Sequence, residues 1–463
     1  MKVLESMLKK DAKCIVSYID ARTLGSTSQY TDTNIPLKNR CTCLFRDILI
    51  ELYNVLLEYI ADYAPGNAND LLRLLDDFGK IASEPVIESS PQSLTRESRV
   101  DTKGSGGMSA KFQSSGVEIA SSSVFESGTE EKESLQVQLS QTDKIIFPAV
   151  RNSLGPLLRD LNATLFILID EWSSLPYDLQ PFLAEFFKRC FLPEKRITIK
   201  IAALEYRSNF GVRNEHDIVG FELGSDISTA LDIDDYFVYD RNREMVGKAF
   251  GEMLFKHLSC EVPEAFLTGL RVKNFSTLIS RMFTESPIFG ELVRASEGVA
   301  RDLINIFSTA FFDAQRRGRD SIDRKAIIES ARQWFEKDKA QNLDDALRQA
   351  LQRIIGEVIG TRKARSFLVP RELQHHPLLE RLFDARVLHL MQRGYADKDK
   401  PGIRYNIYTL DYGTYVDLLN TTKQPELDFQ EFQGQKEMVV PFDDKRSIRR
   451  IVLEEKHLTE VPC

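Results

Sequence analysis

Residues 164–171 read TLFILIDE, the most apolar run in the chain, and it ends in two consecutive acids, Asp170 and Glu171. So short a run of Leu, Phe and Ile suits a buried strand, because a buried helix needs roughly ten residues or more. Two comparable runs flank it in sequence. CIVSYI (14–19) ends in Asp20, and ITIKIAAL (197–204) leads into EYRSNF. A further apolar piece, IVGFEL, lies at 218–223. Helical spacing fills the intervals, over residues 42–63, on to about 82, then 145–160 and 177–190, with Leu44, Ile48, Tyr53, Leu56 and Leu57 on or near one face of the first. Strands that alternate with helices and are apolar almost throughout predict an α/β fold, a mainly parallel sheet covered by helices on both faces. In such sheets ligands bind outside the carboxyl ends of the strands, where Asp170 and Glu171 fall.

Further along, residues 242–336 are helical throughout, and 343–419 mix helices (344–359 and near 372–385) with the strands SFLV, VLHLMQR and RYNIYTL. The expected organisation is an α/β domain over 1–240, a helical lid over 241–340, a small mixed domain over 341–420, and a loose polar tail over 421–463. Residues 83–140 hold fifteen Ser and neither Trp nor Tyr, so a flexible insertion is expected there, with some β-like alternation in LQVQLS.

Composition removes several classes. The 463 residues carry 61 Lys+Arg against 69 Asp+Glu (61 − 69 = −8), so the chain is no basic nucleic-acid coat. No apolar stretch approaches the roughly 18–20 residues of a membrane span, and the first twenty residues lack the apolar core of a leader. The six cysteines (14, 41, 43, 190, 260 and 463) and six histidines show no metal-ligand spacing, which suits a cytoplasmic protein with reduced thiols and no contact with a membrane.

The chemistry suggested by the acid pair is nucleoside triphosphate hydrolysis. Asp170 would hold Mg²⁺ through water, and Glu171 would orient or deprotonate the attacking water. The next strand ends near Glu205, Arg207 and Ser208, where a γ-phosphate sensor would sit. About 130 residues on, Ser296-Glu-Gly-Val-Ala-Arg301-Asp302 places an Arg at a helix start, and its planar fork matches phosphate oxygens. The ordinary alternative for Arg301 is a surface ion pair, and the same holds for Arg189 and Arg207 as candidate fingers toward a neighbour's nucleotide. Trp172 is expected to pack under the following helix, and Asp20 and Arg22 to line the same sheet edge.

ILIDEW resembles the Walker B motif of AAA+ P-loop ATPases. ALEYRS stands at the place of sensor 1, and GVARD is similar to sensor 2. With a winged-helix-like module after the lid, the chain most resembles the initiator-like (origin-recognition/Cdc-type) family over about residues 1–420. That resemblance implies a P-loop NTPase-type sheet, ATP and Mg²⁺ as cofactors, slow hydrolysis used as a switch, nucleotide-driven assembly with a protein partner or further copies, and DNA contact through the winged helix. It assigns Asp170 to the metal, Glu171 to the water, Arg301 to the phosphates, and the 205–208 segment to the γ-phosphate.

One part of the pattern is missing. The sequence has no G-x-x-x-x-G-K-[ST], the loop whose amides and lysine cradle phosphates. By position CIVSYID would be the second strand of such a sheet, which leaves the first strand and the P-loop unaccounted for. The expectation is that they lie upstream or have been lost, that the sheet is open where the first strand belongs, and that these residues alone bind ATP weakly or not at all. The rival reading is a non-catalytic scaffold or adaptor that keeps the fold. For DNA, residues 355–410 carry ten Lys/Arg and six acids (10 − 6 = +4), with Lys398, Lys400 and Arg404 around the tip of a hairpin. Winged helices also serve as protein-interaction modules.

Overall fold

The computed structural model describes residues 1–25, 28–63, 68–83, 86–100, 110–113, 116–122, 131–213, 215, 217–222, 224–227, 231–239, 241–362, 364–396, 402–414 and 451–459, with the backbone alone over 86–143. The chain divides into two units, Met1–Ala230 and Leu231–Cys463.

In the first unit, helix α1 (Lys2–Leu8) leads into strand β1 (Cys14–Asp20), followed by helices α2 (Leu37–Tyr63) and α3 (Ala68–Ser83). After strands β2 (Val86–Val100), β3 (Ala110–Gln113), β4 (Gly116–Ser122) and β5 (Glu131–Lys144) come α4 (Phe147–Asp160), β6 (Thr164–Asp170), α5 (Gln180–Cys190), β7 (Ile197–Ile201), β8 (Gly211–Arg213) and β9 (Ile218–Gly220). The parallel sheet has three strands in the order β1-β6-β7, with Cys14 opposite Thr164 and Asp20 opposite Asp170. This is a mixed α/β arrangement, a small parallel sheet flanked by helices.

Alternation along the strands sends Ile15, Ile19, Leu165, Ile167, Ile169 and Ile197 to one face, where they join one core with α2, α3, α4 and α5. Helix α2 supplies Leu44, Ile48, Leu52, Leu56 and Ile60, spaced four apart and buried, while Leu57 is exposed. Phe45 lies 5.4–5.6 Å from the rings of Phe186, Phe187 and Phe191. Each such fully buried side chain contributes about 1.5–3 kcal/mol. The opposite face carries Val16, Tyr18, Phe166, Leu168, Thr198 and Lys200. Here α1 sends Lys2 over the Tyr18 ring at 5.9 Å but buries no residue of its own, and Lys200 is exposed. The two faces are therefore covered unequally, where helices were expected on both.

The apolar piece at 218–223 does not extend this sheet. Its strand β9 pairs antiparallel with β8 and ends at Gly220, whose φ of +106° and approach to the Phe210 carbonyl (a Cβ would lie at 2.3 Å) stop a regular strand. Over the stretch expected to be a flexible insertion, the described backbone forms an antiparallel sheet in the order β2-β5-β4-β3, with Val86 opposite Lys144 and Val100 opposite Glu131. The LQVQLS alternation falls within β5, and a period of two is the spacing that a strand requires.

The second unit begins with helices α6 (Arg243–Glu261), α7 (Glu264–Gly269), α8 (Phe275–Met282), α9 (Ser286–Ala295), α10 (Ala300–Arg316) and α11 (Arg324–Trp334), packed around Val246, Phe250, Leu292, Val293, Leu303, Ile306 and Ile327. Then come α12 (Asp345–Ile355), β10 (Ser366–Pro370), α13 (Pro377–Asp384), β11 (Leu388–Ala396) and β12 (Arg404–Leu410), with an antiparallel sheet in the order β10-β12-β11. Its core holds Leu347, Ile354, Phe367, Leu382, Tyr408 and Leu410. The expectation of a loose polar tail needs correction for its described end. Residues 415–450 and 460–463 lie outside the described residues, but Ile451, Leu453 and Leu458 are buried in this same core. The alternating Ile-Val-Leu triplet supplies the apolar contact that composition averaged over the tail conceals. Among the described residues, no helix is long and apolar enough to cross a membrane.

Candidate functional site

Strand β6 is central in the parallel sheet, and its carboxyl end carries Asp170 directly across the ladder from Asp20. The Tyr18 hydroxyl donates to Asp170 Oδ2 at 2.9 Å, and the Glu171 amide donates to Asp170 Oδ1 at 3.1 Å. Arg22 folds back on Asp20, with Nε at 2.9 Å from Oδ1 and Nη2 at 2.6 Å from Oδ2, and its Nη1 stands 4.0 Å from Glu171 Oε1. Burial, and then the bond to Asp170, pushes the Tyr18 hydroxyl up to about 12. The Arg22 bonds hold the Asp20 carboxyl below its usual range. Three carboxylates, one phenol and one guanidinium thus share the sheet edge.

Glu171 adopts φ +55°, a left-handed conformation that few non-glycine residues take, and its side chain is 44% exposed. This turn sends the next residue inward. Trp172 is fully buried, its amide donates to the Ala202 carbonyl at 3.1 Å, and its indole stacks on Phe210 at 5.8 Å and meets Phe187 of α5 edge-on. The packing role expected for Trp172 is the one it has. Residues held in strained backbone cluster at functional sites, and here the strain turns an acid outward while the neighbouring ring anchors the loop.

The segment after β7 is tied to the loop after the acids. Ser173 Oγ lies 2.9 Å from Ser208 Oγ and accepts the Leu204 amide at 2.6 Å. Gln180, fully buried at the start of α5, donates to the Leu175 and Arg207 carbonyls and accepts the Asn209 amide at 2.6 Å. Of the three residues proposed as a γ-phosphate sensor, Ser208 is half-buried and hydrogen-bonded to Ser173, whereas Glu205 and Arg207 are exposed. No local pattern marks Gln180, because its partners are main-chain atoms up to 29 residues away. Arg189 forms an ion pair with Glu185 one helical turn earlier, at 2.5 Å.

A Mg²⁺–nucleotide finds part of what it needs among these residues. Asp170 and Glu171 offer oxygen ligands on a solvent-facing edge, with lone pairs beyond those used by Tyr18 and the Glu171 amide. No three His, Cys, Asp or Glu side chains among the described residues come together as a metal set, and the sequence contains no glycine-rich lysine loop to grip the phosphates. The phosphate chain therefore does not fit these residues alone, and no hydrolytic step follows from them.

In the second unit, residues 296–299 form the turn between α9 and α10. Ser296 Oγ donates to the Val293 carbonyl at 2.7 Å, and Glu297 pairs with buried Arg365 at 3.1 Å. Gly298 has φ +86° and lies so close to the Phe237 carbonyl that a Cβ would sit 2.0 Å from it. Arg301, at the start of α10, is exposed and makes no ion pair among the described residues. Its neighbour Asp302 points the other way. It is fully buried, with Lys339 Nζ at 2.8 Å, Arg386 Nη1 at 2.6 Å and the Trp334 indole N–H at 3.0 Å. Lys339 also meets Asp411 at 2.5 Å, and His389 Nε2 lies 2.9 Å from the same carboxylate. Burial alone would raise the Asp411 carboxyl, but Lys339 and His389 outweigh it and hold it down to about 2.

Half of the ten cations counted for the expected basic wing are spent on internal pairs. Arg362, Arg365, Arg381, Arg386 and Arg393 pair with Glu357, Glu297, Asp344, Asp302 and Asp232. Lys398 and Lys400 lie outside the described residues. Arg404 is exposed, with Nη1 at 3.5 Å from the Gly394 carbonyl. Five of the ten cations counted over 355–410 are thus held in ion pairs, and Lys363 too lies outside the described residues. No protein-family model matches the chain, and no curated protein matches it.

Proposed function

We propose that the chain is an initiator-like AAA+ module, with a P-loop NTPase-type sheet, a helical lid and a winged-helix-like C-terminal domain, that works as a nucleotide-dependent switch. In this reading its own residues furnish the acidic side of the nucleotide site. The observation that carries the proposal is the pair Asp170–Glu171 at the carboxyl end of the central parallel strand, with Glu171 turned to solvent by a left-handed backbone. Bound there, Mg²⁺ and ATP would supply a polarised phosphoryl group. Asp170 is the metal-side carboxylate and Glu171 the water-side carboxylate, the γ-phosphate sensor lies among Glu205, Arg207 and Ser208, and Arg301 is the exposed cation of the lid.

A second reading is a scaffold that has kept the fold without the chemistry. It is favoured by the way Tyr18 and Arg22 already engage Asp170 and Asp20, and by the lack of G-x-x-x-x-G-K-[ST] in the sequence. Calorimetry with ATP·Mg²⁺ separates the two readings, using this chain and a version carrying the residues encoded upstream in frame. The switch requires weak or no heat with this chain and clear saturable binding with the longer one. Equal absence of binding in both leaves the scaffold.

A further inference from the structure

On helix α10, Thr309, Phe312 and Arg316 are spaced three and four residues apart, so they share a face, and Gln315 adjoins them. Gln333 at the end of α11 and Lys337 in the turn that follows complete an open groove of about 680 Å³ lined by these six residues. Phe312 is 61% exposed. A single exposed ring is ordinary on a protein surface. What distinguishes this one is the charge around it.

None of the six lining residues is an acid. The neighbouring acids are spent elsewhere. Asp313 pairs with Arg317 at 2.6 Å, Glu329 and Glu336 pair with Arg332 at 2.5 and 2.8 Å, and Asp338 pairs with Arg386. Arg316, 70% exposed, comes no nearer than 3.9 Å to Asp313, and Lys337 makes no ion pair among the described residues. The groove walls are also held in place. The Phe312 ring meets Phe311 edge-on at 5.6 Å, and Phe311 packs on the helical core. Residues Phe335–Lys339 form a π turn with both ends buried, Phe335 against Gly413 and Lys339 between Asp302 and Asp411. Lys337, midway, is turned to solvent from a fixed backbone. Such widened turns recur at functional sites.

We propose that this groove docks a short acidic segment of a protein partner, one that carries an aromatic side chain between carboxylates. The partner's ring lies against Phe312, and its carboxylates meet Arg316 and Lys337. The amides of Gln315 and Gln333 and the hydroxyl of Thr309 both donate and accept, which suits the main chain of an extended peptide. Charge complementarity selects this occupant. A purely apolar peptide leaves both cations without a counter-charge. A nucleic-acid strand carries a charge at every nucleotide and needs a row of cations, whereas Asp313 and Glu336 stand beside the groove and the chain has a net charge of −8. The site lies wholly within the second unit and does not rest on the nucleotide reading.

The test uses the full chain without nucleotide and a fluorescein-labelled peptide with a single Trp flanked on each side by two Glu, followed by anisotropy. The expected result is saturable binding that weakens in high salt, and about tenfold or more both with Phe312→Ala and with Arg316→Glu combined with Lys337→Glu. The three positions are exposed, so circular dichroism and the thermal midpoint stay unchanged. A peptide with Gln in place of Glu, or Ala in place of Trp, binds about tenfold or more weaker. The doubly reversed chain accepts instead a peptide whose Trp is flanked by Lys, an exchange that a merely structural role does not produce. Absence of saturable binding, equal binding by the variants, or tighter binding of oligothymidine than of the peptide would overturn the proposal. So would a chain that sediments as a dimer until Phe312 is replaced, because a second copy then fills the groove.

Discussion

Two acid pairs in this molecule, Asp170–Glu171 in the first unit and Asp302–Asp411 in the second, differ in what surrounds them. The first stands at the end of a strand, half open to solvent, with a phenol and an arginine as neighbours. The second is fully buried and shares one buried lysine, with Arg386 and His389 completing the set. A buried carboxylate is tolerated only where cations and donors satisfy it, and once satisfied it has little left to offer a ligand. An exposed carboxylate on a sheet rim keeps its lone pairs available. Paired acids in one molecule therefore have opposite uses, set by burial and by partners distant in the chain.

The sharpest way to break this contrast is to remove the shared cation. Lys339→Met leaves Asp302 and Asp411 buried without it and should cost about 3–5 kcal/mol, read as a fall in the thermal midpoint of the second unit. A loss below about 1 kcal/mol would mean the cluster is wetter than its burial indicates. Next in size is Gly298→Ala, which forces a Cβ onto the Phe237 carbonyl at an unfavourable φ. It should cost about 2–4 kcal/mol by denaturant titration. At the open rim, Tyr18→Phe removes one part-buried hydrogen bond and should cost only about 1 kcal/mol.

Acid sharpens the comparison further. The Asp411 carboxyl is held down to about 2 in the folded chain, against about 3.9 when unfolded. Its contribution to stability is present above the unfolded value and is lost as pH falls toward 2. Lys339 is raised above its ordinary value, so its contribution is present at neutral pH and is lost only in strong base. A near-ultraviolet circular dichroism titration should therefore show the second unit stable through neutral pH, with Lys339→Met weakening the loss on acidification.

Much of the first unit was legible because local periodicity and strand length carry it. CIVSYI, TLFILIDE and ITIKI all form strands of one parallel sheet, and the spacing of Leu44, Ile48 and Leu56 marks the buried face of α2. IVGFEL was legible only as an apolar piece, and its letters do not reveal the close approach of Gly220 to Phe210 that ends β9. The tail was misjudged because Ile451 and Leu453 find their pockets across a long interval of polar sequence. At the candidate site the acid pair was legible as an apolar run with an acidic end. Tyr18, 152 residues from Asp170, and Gln180, which bonds only main-chain atoms, were not. Asp302 was read beside Arg301 as part of one motif, yet the two side chains diverge, one buried and one exposed. The partners Lys339 and Asp411 lie 72 residues apart in sequence, and no local pattern signals such a pair.

The most direct measurement is the affinity of Mn²⁺·ATP, followed by water-proton relaxation, for the chain extended by any residues encoded upstream in frame and for its Asp170→Asn variant. If Asp170 is the metal-side carboxylate, the substitution weakens binding of the metal–nucleotide complex at least about tenfold, equivalent to about 1.4 kcal/mol, while the thermal midpoint moves little. Equal affinity in the two proteins would contradict the assignment and leave the acid edge as a structural cluster.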